Sequence, residues 1–259
     1  MKLQESVSVI LPVYNAEKFL PACLESLMSQ TYENIQIIAI DDKSKDHSYA
    51  ILQRFKKQYK SLQIYRNKKH YGMAICYNRA LKRASGRFIA FMHATDMSAA
   101  NRFKRQVSFL TKHEKTVAVG TQYMEIDLED RKLSRSTLPE EHQEIYDRLL
   151  QPEILHPETV MVNRARLPKD LLYFKHSKYP MIFTEVFVKL FQYGEVANLK
   201  HALYFHREGV KRRNKHRSKT KQIASLVRLF IASRANHDYK PSLRSFVSPL
   251  LDQARTAFR

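Results

Sequence analysis

Three short polar stretches follow apolar runs, and each carries side chains able to bind a charged or hydroxylated ligand. Asp41 and Asp42 stand where IQIIAI, residues 35–40, stops. Tyr14 and Asn15 follow SVSVILPV, residues 6–13, and Asp96 follows RFIAFM, residues 87–92, after His93-Ala94-Thr95. Two adjacent carboxylates in a cleft are costly unless they meet hydrogen-bond donors or a cation. A ribose, a uracil N–H or a divalent metal would each serve. Tyr14 offers a stacking face, and a carboxylate accepts from N–H and hydroxyl donors. Acidic residues converging from neighbouring strand ends suggest a joint nucleotide and metal site, because hard cations and phosphates often share one. The plainer reading of the same aspartates is that they cap helices or are solvated.

The elements that must position these residues are legible as an alternation. Apolar, β-branched runs at 6–13, 35–40, 62–66 and 87–92 predict buried strands. Between them, helical spacing predicts helices over 16–30, 47–59 and 73–84, the first capped by Asn15. Strands alternating with helices imply a parallel sheet covered on both faces, with ligands bound beyond the carboxyl ends of the strands. Past Asp96 the pattern loosens. It predicts a helix over 101–113, a strand at 117–123, a loop and helix within 137–150 and a strand at 159–163. A helix over 183–193 stopped by Gly194, a short strand at 203–206 and a helix after Lys219 complete it.

Composition narrows the classes. The 259 residues suit one large domain or two small ones, and a hydrophobic content of 44% is that of a globular chain. Two cysteines, Cys23 and Cys76, cannot form a disulfide framework or a four-ligand zinc site, and fit a reducing cytosol. There is no Gly-x-Gly-x-x-Gly and no Walker loop, which disfavours dinucleotide-binding and P-loop enzymes. No run reaches 18 apolar residues and the first residues do not read as a signal peptide, so a cytoplasmic protein is expected. Lys and Arg outnumber Asp and Glu by 45 to 25, and residues 199–259 hold 15 of those bases against 3 acids. The densest stretch is KRRNKHRSKTK, residues 211–221. It is either a solvated face or an attractor of polyanions.

VSVILPVYNAEKFLPACLESLMSQTYENIQIIAIDDKSKDHS resembles the N-terminal signature of family 2 glycosyltransferases, which have the GT-A fold. HYGMAICYN and ASGRFIAFMHATD resemble the family's N-x-G-x-x-x-A-x-N and A-x-G-x-Y-I-x-F-L-D-A-D-D segments. HPETVMVNR and FQYGEVANLKHALYFHR resemble its later segments, so the likeness runs from about 6 to 207. The resemblance implies a Rossmann-like α/β domain over 1–210. Its mostly parallel central sheet has helices on both faces, a nucleotide-binding half over 1–97 and an acceptor half over 98–210. Residues 211–259 are then a basic, helical extension.

It further implies transfer of a sugar from a nucleotide-diphosphate sugar, UDP-linked, to a glycan or lipid-linked acceptor, with inversion. Pro12, Tyr14 and Asn15 would line the base pocket, Asp41 would meet the uracil, and Asp42 the base or ribose side. Asp96, with His93, would hold Mg²⁺ or Mn²⁺ at the diphosphate. Here the chain departs from the family: the third position of the Asp-x-Asp motif, usually the metal ligand, is Thr95. Basic groups such as His93, Arg102 or residues 211–213 would then take over part of the charge. The Glu-Asp pair that supplies the general base falls on Ile182 and Phe183, and the nearest carboxylate, Glu185, takes the catalytic role. Losing both motifs at once gives the alternative reading, a catalytically impaired GT-A protein that binds nucleotide or glycan or supports a partner glycosyltransferase. The basic extension is expected to meet an anionic inner-membrane surface, where lipid-linked acceptors sit. No nucleic-acid motif accompanies the charge, so nucleic acid is not an expected partner.

Overall fold

Alternation in VSVILPV sends Val7, Val9, Leu11 and Val13 into one apolar core and Ile10 into another, on opposite faces of a single sheet. The computed structural model describes residues 5–151, 154–175, 182–210, 219–237 and 239–240. In chain order the first half comprises β1 (Val7–Val13), α1 (Leu20–Met28), β2 (Ile35–Asp41), α2 (Ser48–Gln58), β3 (Leu62–Arg66), α3 (Met73–Leu81) and β4 (Phe88–Phe91). The second comprises β5 (Met97–Ser98), α4 (Arg102–Lys112), β6 (Thr116–Ile126), β7 (Lys132–Arg135), α5 (His142–Arg148), β8 (Met161–Asn163), α6 (Ile182–Leu190), β9 (Glu195–Arg207) and α7 (Lys219–His237).

The strands form one sheet in the order β3-β2-β1-β4-β8-β6-β9-β5, with β7 paired to β6. The first four are parallel. The second half mixes directions: β8 runs antiparallel to β4 and β6, while β9 runs parallel to β6 and antiparallel to β5. Both cores contain residues from both halves, so neither half has a core of its own.

One proline opens the crevice. Met92 N donates to Ile10 O at 3.1 Å, so residues 10 and 12 turn their main-chain groups toward β4. Pro12 has no N–H to give. The β1–β4 register ends at Ile10–Phe91, while the β1–β2 register continues to Val13–Asp41. β1 and β4 therefore part beyond Pro12, where the strand order reverses and α/β sheets bind ligands.

Several boundaries differ from the sequence expectation. The first helix begins at Leu20, and Asn15 is not its cap but a left-handed residue with φ 47°. The last predicted strand, 203–206, is the end of a thirteen-residue β9 whose first half is half-polar and lacks a clean alternation. Gly194 sits at its start with φ 155°, and a Cβ there would lie 2.3 Å from Lys115 O, so only glycine lets β9 enter against β6. α7 packs on the body of the protein: Leu229 and Phe230 lie against one core, and buried Tyr239 contacts Tyr146 and Phe191. Residues 211–218, the densest part of the basic run, lie outside the described residues. Among the described residues no helix is long and apolar enough to cross a membrane.

Candidate functional site

The carboxyl ends of β1 and β2 bring Tyr14, Asn15, Asp41 and Asp42 together. Asn15 Oδ1 accepts from Lys45 N at 2.9 Å, and Asn15 N donates to Ser44 Oγ at 3.1 Å, so the two strand-end loops are tied to each other. Lys43, at the glycine position of the family's D-D-G-S turn, has φ 60°. That conformation costs a non-glycine residue about 1 kcal/mol, which explains why the turn favours glycine.

Asp41 is fully buried. Its Oδ2 lies 2.9 Å from Arg66 Nε, and its Oδ1 accepts from Ser44 N at 3.3 Å. The Arg66 guanidinium in turn lies 4.3 Å from the Tyr49 ring. Asp42 is held still more fully. Oδ1 accepts from Asn67 Nδ2 at 2.6 Å and Tyr71 N at 2.9 Å, while Oδ2 accepts from Gly72 N at 2.7 Å and faces His70 Nδ1 at 2.8 Å. Burial alone would raise its pKa. The hydrogen bonds from Tyr71 N, Asn67 and Gly72 N, with His70 beside it, instead hold it below the ordinary carboxylate value. Gly72, at φ 91°, makes the bend that aims two successive N–H groups at one carboxylate. The His70 ring also packs on Tyr14, centroids 4.1 Å apart. Asp42 thus organises the 67–72 loop and, through His70, ties it to Tyr14. Sequence reasoning missed Arg66, Asn67 and His70. The signal for His70 was present, because it stands at the first Asn of the N-x-G-x-x-x-A-x-N pattern.

The second corner is at the end of β4. Asp96 is fully buried, and its Oδ1 accepts from Thr95 Oγ1 at 3.0 Å and Arg207 N at 3.1 Å. Oδ2 accepts from Tyr204 Oη at 2.9 Å and faces His206 Nδ1 at 3.4 Å. His93 Nδ1 is 2.8 Å from Thr95 Oγ1, and His156 packs edge-on against His206 with centroids 4.7 Å apart. Glu158 lies 3.5 Å from His156 Nε2. Arg207 is itself buried, donating to Thr95 O at 2.9 Å and pairing with Asp130. The sequence singled out Asp96 and His93 here. Tyr204, His206 and Arg207 arrive from β9, more than 100 positions away.

These residues do not fit a magnesium or manganese ion. A carboxylate offers about four lone-pair directions, and four groups already face those of Asp96. The Thr95 hydroxyl is engaged by Asp96 and His93. Among the described residues no three His, Cys, Asp or Glu side chains are grouped to hold a metal. Arg102 cannot stand in either. It is fully buried in α4, donating to Phe91 O at 3.1 Å and Glu158 O at 2.7 Å, and burial lowers its pKa to about 10.

Glu185 occupies the first turn of α6, where a negative charge is favoured by the helix dipole. Its Oε1 is 2.6 Å from Lys175 Nζ. Glu185 has no hydrogen bond or ion pair with the Asp96 group among the described residues.

A family model described as glycosyl transferase family 2 matches residues 8–191. An uncharacterized glycosyltransferase of Haemophilus influenzae is 31% identical over 173 residues, covering 67% of this chain and 67% of that protein. The UDP-Glc:alpha-D-GlcNAc-diphosphoundecaprenol beta-1,3-glucosyltransferase WfgD of Escherichia coli is 36% identical over 114 residues, 44% of each chain. The chain spans less than half the length of most curated relatives it matches. Among solved structures, Staphylococcus aureus TarS in complex with UDP-GlcNAc superposes with a TM-score of 0.73 at 20% identity, covering 91% of this chain and 68% of that one. That likeness establishes a shared GT-A fold.

Proposed function

The chain belongs to glycosyl transferase family 2, and from that premise we propose that it transfers a sugar from a UDP-linked nucleotide sugar to a glycan or lipid-linked acceptor, with inversion. The observation that carries this reading is the meeting of Tyr14, Asn15, Asp41 and Asp42 where β1 and β4 part. There Tyr14 packs on His70, Asp41 is a buried carboxylate beside Arg66, and Asp42 fixes the loop that carries His70. A uracil stacked on Tyr14 would present its N–H to Asp41. Residues 1–97 would then bind the nucleotide and 98–210 the acceptor.

In the transfer, the acceptor hydroxyl oxygen forms a bond to the anomeric carbon on the face opposite the diphosphate. The bond from that carbon to the phosphate oxygen breaks, and its electron pair leaves with UDP. The hydroxyl proton passes to the Glu185 carboxylate, and positioning of the two reactants supplies much of the acceleration. The TarS structure holds UDP-GlcNAc, and WfgD is named for a diphosphoundecaprenol-linked acceptor. Both support a nucleotide-sugar donor, and the WfgD name supports a lipid-linked acceptor. The basic residues of 211–259 would hold the protein against anionic lipid.

The experiment is to incubate the full chain with a panel of UDP-sugars and candidate acceptors and to measure UDP release. Turnover with at least one donor is expected. A second reading, a GT-A protein that binds nucleotide without transfer, is favoured by one observation: Glu185 is already ion-paired to Lys175. UDP binding with no turnover of any donor would select that second reading.

A further inference from the structure

The corner that holds the metal in the family's Asp-x-Asp pattern is built here for something else. Thr95 replaces the carboxylate, its hydroxyl lies between His93 Nδ1 and Asp96 Oδ1, and it is only 6% exposed. Asp96 is 0% exposed. Releasing one of its oxygens to a cation would strip Tyr204 Oη or Arg207 N of an acceptor inside the protein, where an unmade hydrogen bond is costly. Hard divalent cations need several oxygen ligands, carboxylates first among them, and this corner has none to spare.

A cavity of about 440 Å³ opens directly onto Thr95. Lys18 and Lys45 line it, together with Glu17 and Asp46. The two carboxylates are largely committed to the main chain: Glu17 Oε2 accepts from His47 N at 2.9 Å, Asp46 Oδ2 from Glu17 N at 3.0 Å, and Asp46 Oδ1 from Ser48 N at 3.0 Å. Both lysines are exposed residues of the cavity lining, and Lys18 Nζ is 5.1 Å from the Phe19 ring centroid. Flexible stems let both reach a ligand, and lysine binds phosphate as a mobile point charge.

We propose that this chain binds the diphosphate of its donor without a divalent cation, with Lys18 and Lys45 meeting the negative charge in the cavity beside Thr95. The proposal rests on the nucleotide-sugar reading above. It separates this chain from a metal-dependent enzyme by a property of its own residues.

Calorimetric titration of the full chain with UDP, once in EDTA and once in manganese chloride, tests it. The dissociation constants are expected to agree within about twofold, where a cation that carried the diphosphate would change them tenfold or more. Binding in manganese only overturns metal-free binding and leaves the glycosyltransferase reading standing. Binding in neither buffer overturns both. Lys18→Ala and Lys45→Ala, both on exposed side chains, are each expected to weaken UDP about three- to tenfold in EDTA while leaving uridine affinity unchanged. If both variants keep wild-type UDP affinity, the assignment of the charge to these lysines is wrong.

Discussion

The Asp42 corner and the Asp96 corner each centre on a buried aspartate with four facing groups, yet they are assembled from different distances along the chain. The hydrogen-bond donors to Asp42 come from 25 to 30 positions away, within the next βα unit. Those to Asp96 include Tyr204 and Arg207, 108 and 111 positions away on β9. The first corner spends its carboxylate on fixing the 67–72 loop, whose His70 packs on Tyr14. The second spends its carboxylate on locking β4 to β9. A family motif read only along the chain treats both aspartates alike, while their partners show that one fastens a neighbouring loop and the other a distant strand.

The sharpest way to break this contrast is to remove the hub. Asp96→Ala leaves Tyr204, His206 and the Arg207 main chain without their shared acceptor, and should cost about 3–5 kcal/mol of stability. Chemical denaturation reads this directly, and a loss under 1 kcal/mol would mean Asp96 is not the hub. Glu185→Gln should leave the fold intact and lower kcat by about 100-fold or more, as loss of a general base does. Steady-state turnover at constant thermal stability checks it. Tyr14→Ala should weaken UDP binding about tenfold, the worth of one stacked base, with little effect on stability.

The smallest effect expected is one of pH. The Asp42 pKa lies below its ordinary 3.8, so its contribution to stability is fully present above that value and is lost as pH falls through the folded-state pKa. Below about pH 4 the wild type should therefore lose stability more steeply than Asp42→Asn. Parallel acid curves for the two proteins would show that the Asp42 bonds do not favour its charged form.

How much of this was legible in the sequence follows the same division. Strands β1 to β4 and the helices between them could be read from continuous apolar runs and helical spacing, because each is buried by neighbours close in the chain. The clustering of Tyr14, Asp41 and Asp42 followed, since the carboxyl ends of neighbouring parallel strands lie side by side. β5 and β7 are too short for a periodic signal, and the first half of β9 carries Glu195, Asn198, Lys200 and His201 without regular alternation. Its pairing with β6 is set by tertiary packing that no local pattern encodes. Arg102 read as a free cation because a buried arginine looks like an exposed one until its carbonyl partners are seen. Asn15 read as a helix cap for a similar reason, since its actual partner, Lys45 N, lies in the next strand-end loop.

On the proposed function, the parting of β1 and β4 is a nucleotide site whose buried acceptor is Asp41. Calorimetric titration of wild type and Asp41→Asn with UDP tests it most directly, with circular dichroism showing that the variant is folded. Saturable one-to-one binding by the wild type is expected, with an affinity at least about tenfold weaker in the variant. A wild type that does not bind UDP, or a folded variant that binds it equally well, would contradict it.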